Sequence, residues 1–162
     1  MNTKSKSICL GAMIAALYVV ITCALGAFNL ANGIIQIRLS EALCILPVFS
    51  VSAIPGVTIG CFISNLILGA NIFDVIFGSL ATLLGLLGTY FLRRFKLLSL
   101  LPSILSNSII LPLVFRYAYG FQDAFIVLVI SIFVSEFISV GIFGFLLRQI
   151  LEKKLKLFKV EN

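Results

Sequence analysis

The stretch "ICLGAMIAALYVVITCALGA", Ile8 to Ala27, decides what kind of molecule this is. It carries no charge over about 20 residues, which at about 1.5 Å each reach across a bilayer hydrocarbon core of about 30 Å. Lys4 and Lys6 precede it, so a cleaved leader is the competing reading. The apolar part of a leader runs only about 7–15 residues, and the segment therefore reads as a retained first membrane helix. Composition extends the conclusion to the whole chain. Of 162 residues, 61% are hydrophobic and 11% charged, against about 45–50% and about 25% in soluble domains. So few polar side chains cannot cover a water-soluble globule, and the chain reads as a single all-α membrane domain.

Apolar runs and their breakers divide the sequence into six expected transmembrane helices, over residues 8–27, 36–53, 55–68, 74–92, 97–115 and 121–147, with a basic tail over 148–162. Pro55 suits a first helical turn, and Asp74 suits the positive end of the fourth helix. The net charge of +6 is concentrated at Lys4 and Lys6, in "RRFK" (Arg93 to Lys96), and in the tail. Six crossings place all three clusters on one side, so the positive-inside rule predicts cytoplasmic N- and C-termini. Basic residues confined to span ends also argue against nucleic-acid binding. Histidine is absent, and the four cysteines are scattered within apolar runs without a CxxC pair, so neither a metal nor a cofactor is expected. No GxxxxGK[ST] motif and no nucleophile–base constellation is present. The expectation is a multi-pass plasma-membrane transport subunit that is not itself an enzyme.

Polar residues inside the spans then stand out. Arg38 and Glu41 open the second span, Asn65 lies late in the third, and Asp74 starts the fourth. Asn107 and Glu136 lie deep in the fifth and sixth. A charge near mid-bilayer costs about 2.5–3.5 kcal/mol on insertion scales and calls for a partner or a wet cavity. Arg38 and Glu41, three residues apart, form either a structural ion pair or part of a pocket. Asn65 and Asn107 serve either as interhelical hydrogen bonders or as ligand contacts. Ser103 and Asn107 share a helix face. The segment from Leu30 to Arg38 is either a lid or a connector, and Asp123 reads as a hydrated helix end. Gly78, Thr82, Gly85 and Thr89 form a small-residue stripe for close helix packing, as do Ser131, Ser135 and Ser139. Ala12 and Ala16, with Gly11 and Ala15 alongside, offer either internal packing or an external ridge.

The stretches "IRLSEALCILPVF", "AIPGVTIGCFISNL", "DVIFGSLATLLG" and "LPSILSNSIILPLV" resemble the QueT family, substrate-specific (S) components of energy-coupling factor (ECF) transporters for queuosine precursors. The likeness covers about Ser7 to Leu147, with R-x-x-E-A at Arg38–Ala42 among its more specific parts. It implies a six-helix S-component bundle that captures substrate from outside. It also implies a membrane coupling (T) protein and two cytoplasmic ATPases as partners, docked through a ridge similar to Ala12 and Ala16. The implied substrate is 7-aminomethyl-7-deazaguanine or queuine. A guanine-like edge offers adjacent N–H donors to a carboxylate, and an amine seeks a second carboxylate. Glu41, Glu136 and Asp74 supply carboxylates, and Arg38, Asn65 and Asn107 supply donors. An S-component for a flavin, thiamine or biotin, and a small proton-coupled carrier or channel, are the alternatives.

Overall fold

The computed structural model describes residues 3–27, 38–119 and 125–160. Every regular element among them is helical. The order is α1 (Thr3–Ala27), a long 3-10 helix (Leu39–Val48), α2 (Ala53–Ile67), a π-helical turn (Asp74–Gly78) leading into α3 (Ser79–Phe91), and a short 3-10 turn (Leu98–Leu100) leading into α4 (Leu101–Tyr119). Finally α5 (Phe125–Glu136) passes through a π-helical segment (Phe137–Gly144) into α6 (Phe145–Val160). Four stretches are long and apolar enough to cross a membrane: Lys4–Gly26, Asp74–Phe91, Leu98–Tyr117 and Phe125–Lys154.

α1 and α2 run side by side in the same direction. Gly11 abuts Ser52 and Gly56, Tyr18 abuts Gly60, and Gly26 abuts Leu68. Glycine is required along this seam: a Cβ on Gly56 would lie 2.6 Å from the Gly11 carbonyl oxygen, and one on Gly60 would lie 2.8 Å from Tyr18 Cβ. Two parallel neighbours oblige the chain to return through the bundle between them, and the long 3-10 helix is the described part of that return. The α-helix expected over residues 36–53 is therefore corrected. Ten residues of 3-10 helix rise only about 20 Å at about 2.0 Å each, short of the bilayer core. Pro47, inside this helix, has no N–H to donate to residue 43, which favours departure from α geometry. Ser40, Glu41, Leu43, Cys44, Ile45 and Pro47 are all buried, so this half-span is wrapped by protein, where irregular backbone is tolerated at membrane depth.

The successive pairs α2–α3 and α3–α4 pack antiparallel. Between α2 and α3, Thr82 Oγ1 lies 3.6 Å from Cys61 Sγ, and a Cβ on Gly78 would meet Asn65 Nδ2 at 3.6 Å. Between α3 and α4, Thr89 Oγ1 and Ser103 Oγ are 3.1 Å apart, and a Cβ on Gly85 would lie 2.6 Å from Ser103 Cα. The small-residue stripe of this helix thus serves two neighbours: Thr82 faces α2, Gly85 and Thr89 face α4, and Gly78 lies between Asn65 of α2 and Leu111 of α4. Ser131, Ser135 and Ser139 are buried along the last long helix.

The last helix also departs from expectation. Instead of ending near residue 147 it continues to Val160, because the basic run is rich in Leu, Lys and Glu, good helix formers, and contains neither Gly nor Pro. Arg148, read from sequence only as tail, is buried. Its Nε donates to Glu152 Oε1 at 2.8 Å. Nη1 donates to Ser99 Oγ at 2.8 Å and to the Lys96 carbonyl at 3.1 Å, and Nη2 donates to the Arg93 carbonyl at 3.2 Å. Lys96 Nζ reaches Glu152 Oε2 at 3.1 Å. This clasp ties the last helix to the turn between α3 and α4.

Candidate functional site

The helix directions just described bring Arg38, Glu41, Asn65, Asn107 and Glu136 into one layer, toward the end of the bundle opposite the Arg148 clasp. The long 3-10 helix supplies Glu41, only 2% exposed. In a 3-10 helix, side chains three apart eclipse, so Cys44 stands directly below Glu41 and its Sγ donates to Glu41 Oε2 at 3.0 Å. Glu41 Oε1 accepts a hydrogen bond from the Tyr18 hydroxyl. Thr22, one turn along α1, donates to the Tyr18 carbonyl at 2.8 Å and lies 2.7 Å from Ser40 Oγ. The first helix and the 3-10 helix are therefore stitched together at the carboxylate.

Arg38 precedes the 3-10 helix with φ −94° and ψ 87°, so its side chain does not follow the helical register. Its Nη1 points to Asn65 Oδ1 at 3.4 Å. No Arg38–Glu41 ion pair exists among the described residues; that alternative is corrected, because the cation lies outside the helix whose register would have paired it. On the other side of the layer, Asn107 Nδ2 donates to Glu136 Oε1 at 3.1 Å. Glu136 Oε2 and Asn107 Oδ1 are buried and have no hydrogen-bond partner. Glu136 lies near enough to Glu41 and Arg38 for charge on either to act on it. Asp74 is buried at the start of the π-helical turn, four residues before Gly78. Glu136 directly precedes the second π-helical segment. Such widened turns occur often at functional sites.

The structure thus joins Arg38 to Asn65 and Asn107 to Glu136, and holds Glu41 within electrostatic range of both Arg38 and Glu136. It separates Ser103 from Asn107 in role, since Ser103 bonds Thr89 while Asn107 meets Glu136. Glu41 and Glu136 share this layer with the Arg38 guanidinium and the two amides, a set of acceptors and donors that complements a polar ligand rich in N–H groups. Among the described residues, no group of three or more His, Cys, Asp or Glu side chains could hold a metal. Tyr18, Thr22, Ser40 and Cys44 were not singled out from sequence. A signal was available: Gly11, Ala15, Tyr18 and Thr22 recur at helical spacing, so the two polar tips face the same way as the packing seam. The candidate lid, residues 30–38, lies outside the described residues apart from Arg38, and Asp123 lies outside them entirely.

Ala12 and Ala16 are exposed, while Gly11 is buried and Ala15 half-buried. The seam with α2 uses Gly11 and Ala15, and the two alanines lie beside it on the outer surface. There they line an apolar groove of about 750 Å³, whose far wall is formed by Ser52, Pro55, Gly56, Ile59 and Ile63.

The family profile of the QueT transporters matches residues 8–153. The chain belongs to the QueT transporter family. It is 43% identical over 96 residues, 59% of its length, to the "Queuosine precursor transporter QueT" of Lactococcus lactis subsp. cremoris (strain MG1363). The matched stretch covers 56% of that relative, so the similarity spans little more than half of it. No solved structure matches this chain. The QueT match contains every candidate site residue, the alanine ridge and Arg148. Together with the four helices of spanning length, it makes this chain a membrane protein of a transporter family.

Proposed function

We propose that the chain is the substrate-binding S component of an ECF-type importer in the plasma membrane. Both termini face the cytoplasm, and the Arg38–Glu41–Asn65–Asp74–Asn107–Glu136 layer receives a queuosine precursor from outside. The observation that carries the reading is the grouping of buried Glu41, Asn65, Asn107 and Glu136 with a half-buried Arg38 in a transporter-family bundle. Such groups are costly in a membrane and favour a polar, cationic ligand. 7-Aminomethyl-7-deazaguanine fits that chemistry, with N–H donors on its guanine edge and a protonated amine. Queuine shares the edge and carries a secondary amine.

Energy comes from elsewhere in this reading. A T protein docks a helix along the groove beside Ala12 and Ala16, where small side chains allow close approach, and two cytoplasmic ATPases drive it. The exposure of those alanines, with the bundle seam made by their neighbours, supports an external role for the ridge.

The test is thermal unfolding of the purified chain in nanodiscs with each deazaguanine, riboflavin, thiamine and biotin. A ligand at about 100 times its Kd adds about 2.7 kcal/mol, a rise of roughly 5–11 °C for a chain of this size. A deazaguanine alone should produce it. A rise with a vitamin and none with the deazaguanines would overturn the reading, as would uptake into proteoliposomes driven by a pH gradient without ATPases.

A further inference from the structure

The two deep glutamates differ in what their oxygens already hold. Both Glu41 oxygens have internal donors, the Tyr18 hydroxyl on Oε1 and the Cys44 thiol on Oε2. Glu136 has one oxygen held by Asn107 Nδ2, while its Oε2 and the Asn107 Oδ1 have no donor. Both side chains are more than nine-tenths buried, Glu136 at 5% and Asn107 at 2% exposure. A buried acceptor without a donor costs about 1–3 kcal/mol, so a hydrogen-bonded pair that leaves two such acceptors open is built to receive donors from outside the chain.

We infer that Glu136 and Asn107 accept the adjacent N–H donors of the ligand's guanine-type edge, and that Tyr18 is a positioning residue that holds the Glu41 carboxyl group in place beside them. This assignment rests on the reading of the chain as a deazaguanine-binding subunit. Glu41 then serves the ligand through its charge, at the range at which it already acts on Glu136 and Arg38. Tyr18 suits the positioning role because it is 1% exposed, its Cβ and Cγ pack against Gly60 in the α1–α2 seam, and its hydroxyl donates to the carboxylate.

The experiment measures, in nanodiscs, the affinity for 7-aminomethyl-7-deazaguanine and for its 2-deamino counterpart, which lacks the exocyclic donor but keeps the cationic amine. Wild type should prefer the guanine form by at least tenfold, as expected when deleting a donor leaves a buried acceptor unpaired. E136Q should reduce that preference to within about threefold, while E41Q should weaken both ligands together and keep it. Y18F should also weaken both ligands equally, and its effect should vanish in an E41Q background, because a residue acting only through Glu41 cannot add to its loss. If E136Q does not fold, N107A must show the same loss of preference.

Collapse of the preference in E41Q but not in E136Q would exchange the two roles and overturn the assignment. Additive effects of Y18F and E41Q would remove Tyr18 from it. Absence of any deazaguanine binding by wild type would refute the functional reading itself, and the assignment with it, and is seen before any variant is made.

Discussion

Gly60→Ala tests the connection between helix packing and the buried carboxylate. The new Cβ would sit 2.8 Å from Tyr18 Cβ, 3.0 Å from the Ala15 carbonyl oxygen and 3.1 Å from Tyr18 Cγ. Carbon atoms pack best at about 3.5–4.0 Å, so α1 must retreat by about 0.7–1.2 Å from Tyr18 outward. None of the three contacts is the free end of a flexible chain, so the helix itself has to move. Overpacking of this kind costs about 1–3 kcal/mol. A shift of that size also displaces the Tyr18 hydroxyl from its bond to Glu41 Oε1, which adds about 1–3 kcal/mol for a buried acceptor losing its donor. Alanine returns about 1 kcal/mol in helix propensity, leaving a net loss of about 3 kcal/mol. At roughly 2–4 °C per kcal/mol for a chain of this size, the midpoint should fall by about 6–12 °C. Circular dichroism melts in detergent measure it, with Gly141→Ala as control. There the added Cβ meets ordinary contacts at 3.5 Å and beyond, and the midpoint should hold or rise. A Gly60→Ala midpoint within 1 °C of wild type would refute the close-packed seam, and an equal fall in Gly141→Ala would show that the geometry does not set the cost.

Three further outcomes are expected. Arg148→Met removes four donor contacts and should destabilise by about 2–4 kcal/mol, read as a lower melting midpoint and faster proteolysis in the turn around Arg94. Gly69 has φ +69° with nothing within 4 Å of an added Cβ, so Gly69→Ala should cost about 1–2 kcal/mol through backbone strain alone. Gly69→Asn should cost less, as melts of the two variants will show. Ala16→Trp changes an exposed position and should leave folding and ligand affinity unchanged while abolishing co-purification of the T protein proposed as partner; retained co-purification would remove the ridge from the proposed docking surface.

The helices best read from sequence were those whose reasons are local. The uncharged run Ile8–Ala27 sits within α1, and the start at Asp74 and the stripe Gly78–Thr89 recur in the helix around α3, because span length, breakers and small-residue spacing are properties of neighbouring residues. The second span was misread because apolar content looks the same in an α-helix and in a 3-10 helix buried on all sides. Only the parallel placement of α1 and α2 shows that the returning chain runs through the centre. Arg148 was missed for the opposite reason: a cation in a basic tail reads as solvated until the turn carrying Lys96 and Ser99 folds against it.

The candidate site divides along the same line. Sequence alone determined that Arg38, Glu41, Asn65, Asp74, Asn107 and Glu136 are anomalous, since an unpartnered polar group in hydrocarbon is costly in any fold. Tertiary structure decided which of them meet: Arg38 reaches Asn65 rather than Glu41, Tyr18 and Cys44 occupy Glu41, and Asn107 leaves Glu136 with an open acceptor. These pairings join residues as many as 29 positions apart. Hydrogen bonds require atoms within about 3 Å, and no local pattern reports how distant helices turn toward one another.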